Sequence, residues 1–172
     1  MLVFDIETNG LLYDVSQIHC IATFNTETET SYVFNNRCDQ SGSIEDGINQ
    51  IMESEVIAGH NIIGYDLPVI RKLANISSYH GKLVDTLILS RTFHPNLMDI
   101  DKKRKWRHMP MQLYGRHSLE AYGYRLGEYK GEFGKTADWK QWSQEMQDYM
   151  VQDVKVTTKL CEHFRPYLTR SN

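Results

Sequence analysis

The chain has 172 residues, with 19 Lys plus Arg against 22 Asp plus Glu, 41% hydrophobic residues and four prolines, which fits one domain spanning 1–172 rather than two. About 70% of the surface of an unfolded chain this long can be buried, so no disulfide or structural metal is needed to hold it. Cys20, Cys38 and Cys161 are odd in number and widely spaced, which argues against a disulfide framework and a zinc knuckle. Apolar runs of about four residues are far short of a bilayer span, and the expectation is a soluble, cytoplasmic protein with no membrane contact. A net charge of −3 argues against coating nucleic acid by bulk charge and leaves room for a local basic patch.

Residues 2–6 and 17–24 read as strands, and Tyr32 and Phe34 suggest a third, giving an antiparallel opening meander. Ser43, with Asp46 three residues on, offers an N-cap for a helix carrying Ile44, Ile48, Ile51 and Met52. A short apolar run at 56–58 ends at Gly59, and from Asp66 the residues Leu67, Ile70, Leu73 and Ala74 recur at helical spacing. Leu83 and Val84 repeat the strand signal, and Asp85 is read as the cap of a helix reaching about Phe93. Residues 94–116 read as an irregular exposed loop. A short helix from about Ser118 to Tyr124 precedes a stretch punctuated by Gly127, Gly131 and Gly134. A long helix comes next, from about Ser143 to Phe164, with an inward stripe of Met146, Tyr149, Met150, Asp153, Val156, Thr157 and Leu160. Strands alternating with helices after an antiparallel start predict an α/β fold with a mixed central sheet flanked by helices.

Several carboxylates sit where a core would not keep them. Asp5 and Glu7 leave the same face of one strand, and at roughly 6 Å they repel by about 3 kcal/mol at an effective dielectric near 20, a cost whose sign a divalent cation would reverse. A solvated strand end is the other reading of that tripeptide. Asp153 interrupts the apolar stripe with Tyr149 one turn before it, and Asp66 follows Tyr65 at a helix start, where it could equally be a cap. Taken together, hard oxygen ligands without a His or Cys cage suit Mg²⁺ or Mn²⁺. A pair of such ions is the clamp used for displacement at phosphorus, so phosphodiester hydrolysis is the chemistry suggested.

F-D-I-E-T-N-G-L at 4–11, H-N-I-I-G-Y-D at 60–66 and Y-M-V-Q-D at 149–153 resemble the three motifs of the DEDDy branch of DnaQ-like 3′-to-5′ exonucleases, whose fold is ribonuclease-H-like. V-D-T-L-I-L-S-R at 84–91, N-L-M-D-I-D at 96–101 and G-R-H-S-L-E-A-Y-G-Y-R-L-G-E-Y-K-G-E-F at 115–133 extend the resemblance to the amino-terminal proofreading domain of T-seven-type phage family A DNA polymerases. If the chain is phage-encoded, its compartment is the bacterial host's cytoplasm. The resemblance implies two divalent cations, Mg²⁺ or Mn²⁺, one held by Asp5, Glu7 and Asp153 and the second held or supported by Asp5 and Asp66. Tyr149, helped by Glu7, would orient the attacking water. It also implies that Thr8, Asn9, Leu11, His60, Asn61 and Tyr65 lie where a single-stranded or frayed DNA 3′ end is gripped. Leu11 would wedge against a base, with a core leucine as the other reading, and His60 is read as a hydrogen-bonding residue rather than a base.

Lys102, Lys103, Arg104, Lys105, Arg107 and His108 around Trp106 could bind phosphates, with the indole stacking on a base, or form a solvated loop. The role favoured is proofreading for a separately encoded polymerase. The alternatives are a short-RNA exonuclease, a general DNA-degrading or repair exonuclease, and an inactive nucleic-acid-binding or polymerase-tethering subunit.

Overall fold

Strand β1 (Leu2–Thr8) is buried along both faces, so layers must cover it from above and below. The structure, a computed structural model, describes residues 1–37, 41–128 and 138–169. After β1 come β2 (Ile18–Asn25), β3 (Thr30–Phe34), α1 (Ile44–Glu53), β4 (Val56–Gly59), α2 (Asp66–Ala74), β5 (Lys82–Asp85), α3 (Thr86–Phe93), α4 (Leu97–Arg104), a 3₁₀ turn (Met111–Leu113), α5 (Leu119–Arg125) and α6 (Gln144–Leu168). The sheet order is β3-β2-β1-β4-β5. The first three strands form an antiparallel meander, and β4 and β5 add in parallel through helical crossovers. This is the mixed α/β sheet expected from the alternation of strand and helix.

The two-residue period of β1 sorts its side chains between two cores. Leu2, Phe4 and Ile6 join Ile21, Ile51, Ile57, Val69 and Ile70 under α1 and α2. Val3 joins Cys20, Ala22, Ala58, Met146, Met150 and Val154 under α6. Asp5 and Glu7 share the parity of Val3, so they face the long helix. Local chemistry sets the helix starts. Ser43 and Asp46 form a full capping box, Ser118 caps α5 and Ser143 caps α6. Among the described residues, no helix is long and apolar enough to cross a membrane.

Two expectations need correction. Residues 94–116 are not an irregular loop throughout, because they contain α4 and a 3₁₀ turn. The helix was hidden because its inward residues are Leu97 and a buried acid, Asp101, so no apolar stripe marks it. The last helix also runs past Phe164 to Leu168, with Pro166 inside its final turn. Gly131 and Gly134 of the glycine-punctuated stretch, and Cys38, lie outside the described residues.

Gly59 closes β4 where the chain turns toward the second motif. A Cβ there would stand 2.2 Å from Ile62 Cγ2 and 3.0 Å from the Phe4 carbonyl oxygen. Gly59→Ala is therefore expected to destabilise the protein by about 1–3 kcal/mol through overpacking, read as a lowered thermal midpoint.

Candidate active site

The acidic site begins with the register of β1. Asp5 lies opposite Ala22 and Glu7 opposite Cys20, and between Glu7 and Thr8 the pairing shifts by one residue. Such a bulge bends the strand and re-aims the side chains beyond it. The extra residue on β2 is His19, a buried side chain whose Nε2 lies 2.9 Å from the Trp139 carbonyl oxygen. From the opposite side, α6 brings Asp153 down between Met150 and Val154. Carboxylate oxygens of Asp5, Glu7 and Asp153 all lie within 4.8 Å of one another. Glu7 and Asp153 are buried and Asp5 is half-buried. Cys20, beneath the acids, has its thiol pKa raised well above the usual range, first by burial and then by Glu7 and Asp5.

Asp66 stands beside this trio rather than in it. It is 4% exposed, the first residue of α2, and it is not the cap; that position belongs to Tyr65. Burial lifts its pKa well above the ordinary carboxylate range. Hydrogen bonds from its own N–H and from Ile6 N–H pull it back, and the Asp85 carboxylate adds to the rise. The Ile6 contact places Asp66 against β1 between Asp5 and Glu7 in sequence. Tyr149 is half-buried one helical turn before Asp153, on the same side of α6.

Beside Glu7 lies a cavity of about 310 Å³ lined by Ile6, Glu7, Thr8, Gly10, Leu11, Tyr65 and Trp139. Leu11 is 62% exposed, which removes its reading as a core leucine. The hydroxyls of Thr8 and Tyr65 lie in hydrogen-bond contact with each other and with the Gly10 carbonyl, which fixes the cavity rim. Trp139 was missed in the sequence, although a tryptophan ten residues before Tyr149 in a polar stretch was a usable signal.

The other residues of the motifs build the surroundings. Asn9 accepts hydrogen bonds from Ser16 N and Gln17 N and donates to the Ser16 hydroxyl, so its amide shapes the loop that carries Leu11. His60 Nδ1 lies 2.9 Å from the Thr86 hydroxyl, a hydrogen-bonding part like the one expected of it. Asn61 adopts the left-handed conformation at φ 66. Asp85 caps α3 through Leu87 N and Ile88 N and also accepts from Asn61 N and Ile63 N. One carboxylate thus ties the second-motif loop to α3, and cap is the reading that holds.

Lys102, Lys103, Arg104, Lys105 and Arg107 are exposed, whereas Trp106 is half-buried with its indole N–H donated to Asp101 Oδ1 at 2.8 Å. That bond fixes the edge of the indole to the protein.

An acid trio bridging a central strand and a long helix, over a mixed sheet, defines a nuclease of ribonuclease-H-like architecture. The model of the RNase_H superfamily matches residues 2–165, and the chain belongs to that family. It is 36% identical over 187 residues to the DNA-directed DNA polymerase of Escherichia phage T7, and 35% over 185 residues to that of Enterobacteria phage T3. Each match covers 94% of this chain and 26% of the relative, so the chain spans about a quarter of the length of those polymerases. The region shared with them is the one that the RNase_H superfamily model matches. Among solved structures, Brucella melitensis NrnC with bound Mg²⁺ aligns with a TM-score of 0.62 at 17% identity, covering 98% of this chain and 73% of that one. Exonuclease I of E. coli, solved in complex with an oligonucleotide, aligns with a TM-score of 0.56 at 14% identity, covering 97% and 41%. These likenesses agree in fold.

Proposed function

We propose that the chain is a two-metal 3′-to-5′ exodeoxyribonuclease that removes nucleoside 5′-monophosphates from a single-stranded or frayed DNA 3′ end, proofreading for a separately encoded DNA polymerase. The observation that carries this is the trio Asp5, Glu7 and Asp153, with oxygens mutually within 4.8 Å, at the edge of a cavity walled by Leu11, Tyr65 and Trp139. The polymerase setting is supported by the 36% identity to the phage T7 enzyme.

A donor set of hard carboxylate oxygens fits Mg²⁺ or Mn²⁺. Asp5, Glu7 and Asp153 would hold one ion, and Asp5 with Asp66 would hold or support the second. When bound, the ions supply a lowered pKa for water and neutralise charge on the phosphoryl oxygens. The chain's own residues do the rest. Tyr149, with Glu7, orients the water that attacks phosphorus; the bond to the penultimate 3′ oxygen breaks, and that oxygen takes a proton. Leu11 and Trp139 wall the terminal base by apolar contact, which needs no sequence reading.

The test is an end-labelled DNA oligonucleotide incubated with Mg²⁺, with Mn²⁺, and with chelator, beside an RNA of the same sequence. Ladder shortening from the 3′ end with either ion, and none with chelator, is the expected result. Shortening from the 5′ end, or shortening that persists in chelator, would overturn the reading. A pull-down that recovers a polymerase lacking its own exonuclease checks the partner.

Tyr149→Phe is expected to slow hydrolysis by roughly 10- to 100-fold, because the water loses its orientation. KM and the thermal midpoint should stay unchanged. A variant that instead unfolds would mark Tyr149 as a packing residue.

A further inference from the structure

Five of the chain's 19 Lys and Arg fall within six consecutive positions, in a protein whose net charge is −3. All five side chains are exposed, and among the described residues none of them is paired with a carboxylate. The bland account is helix stabilisation, since Lys102, Lys103 and Arg104 close the last turn of α4, where cations complement the helix dipole. That account covers three residues and leaves Lys105 and Arg107 without a reason. Lys105 sits in the left-handed region at φ 52 as the C-cap of α4. Glycine would occupy that position without strain, whereas an L side chain costs about 1–2 kcal/mol there. A lysine is kept where the fold alone favours glycine.

The segment is also built to hold its shape. Asp101, buried under it, accepts from the Trp106 indole at 2.8 Å, from Gly115 N at 2.8 Å and from both Nε and an Nη of Arg125. The cations therefore project from a fixed backbone. At its far end, His108 lines a cavity of about 380 Å³ with Gly123, Tyr124 and Gly127. Glu128 comes directly after and accepts from Gln152 Nε2 at 3.3 Å, next to Asp153 in sequence.

We infer that Lys102, Lys103, Lys105 and Arg107 form a phosphate-binding platform, outside the acidic site, that grips the DNA strand leading into it. This rests on the nuclease reading of the acid trio and assigns that substrate a second point of attachment. Lys and Arg side chains meet phosphates by charge, so the platform holds backbone and is indifferent to sequence. Its role is to keep an acidic protein on a polyanion while terminal nucleotides are removed.

The test is equilibrium binding of a fluorescent oligodeoxythymidylate of about 20 nucleotides to the full chain in chelator, as a function of salt. Each lost contact with a single strand flattens the slope of log K against log salt by about 0.7 and weakens binding about five-fold at 0.1 M salt. Replacing Lys102, Lys103 and Arg107 by Ser together with Lys105→Gly is therefore expected to flatten the slope by about three and to weaken binding by more than about 10²-fold. An unchanged slope would overturn the platform. Lys105→Gly alone guards against misfolding, because it relieves strain. Its thermal midpoint should hold or rise while affinity falls about five-fold, and undiminished affinity would count against the proposal. Hydrolysis by the wild-type chain in Mg²⁺ is read separately. Its failure alongside a platform-dependent slope would sink the nuclease reading and leave the platform standing.

Discussion

Asp153→Asn is expected to abolish exonuclease turnover while leaving the metal-free protein at least as stable as the wild type. Three carboxylates with oxygens within 4.8 Å repel pairwise by about 3 kcal/mol at an effective dielectric near 20, so removing one charge relieves strain in the unloaded site. The same change takes away a ligand that contributes on the order of 4 kcal/mol to the transition state, close to a 10³-fold loss of rate. The two readouts therefore move apart. A structural acid would lose stability together with activity. Divalent-ion linkage sharpens the contrast, because Mg²⁺ at about 100 times its dissociation constant should stabilise the wild type by about 2.7 kcal/mol and the variant by much less. Single-turnover cleavage of labelled DNA and melting curves with Mg²⁺ or chelator check both halves. Wild-type turnover in the variant would dissolve the site assignment, and a lowered metal-free midpoint would recast Asp153 as part of the packing.

The features legible in the sequence are those whose residues announce their neighbours. The parity of Asp5 and Glu7 on a strand, and the i, i+4 relation of Tyr149 and Asp153 on a helix, are local facts. The structure keeps both and adds that Asp5, Glu7 and Asp153 meet across the β1–α6 interface. The caps at Ser43 and Asp85 were visible for the same reason, since each acts within three residues of itself. Two things were not visible. Trp139 reaches the cavity because His19, a bulge residue more than a hundred positions earlier, holds its carbonyl, and no local pattern encodes that distance. Helix α4 was missed because its inward face is closed by an ion pair whose partner lies 24 residues on. Hydrophobic periodicity cannot register a charge that is buried by being paired.

That ion pair carries the largest stability effect expected in the molecule. Asp101 is 0% exposed and the Arg125 side chain 5%. The guanidinium grips the carboxylate with two parallel bonds, Nε to Oδ1 at 2.9 Å and Nη2 to Oδ2 at 2.7 Å. Its remaining Nη donates to the Arg116 carbonyl at 2.8 Å, and the group lies 4.8 Å from the centre of the Tyr122 ring. Asp101→Ala would leave Arg125 buried without its counter-charge and strip acceptors from Trp106 and Gly115, a change expected to cost about 3–5 kcal/mol. Replacing both partners, with Asp101→Leu and Arg125→Met, should recover much of that loss, because the desolvation of the pair disappears with it. Burial pushes the Asp101 carboxyl pKa up, but Arg125, Gly115 and Trp106 outweigh it and hold it below the usual range. A depressed folded-state value means the contribution is present above the unfolded pKa near 3.9 and is lost as pH falls through the lower folded value. The gap in stability between wild type and Asp101→Ala should therefore stay constant from about pH 5 to 8 and narrow below about pH 4. Denaturant melts across that window decide it. A gap that persists in acid would mean that Asp101 acts through its shape, and the basic segment above it would then owe its form to packing around Met109, Leu113 and Ala121 rather than to the pair.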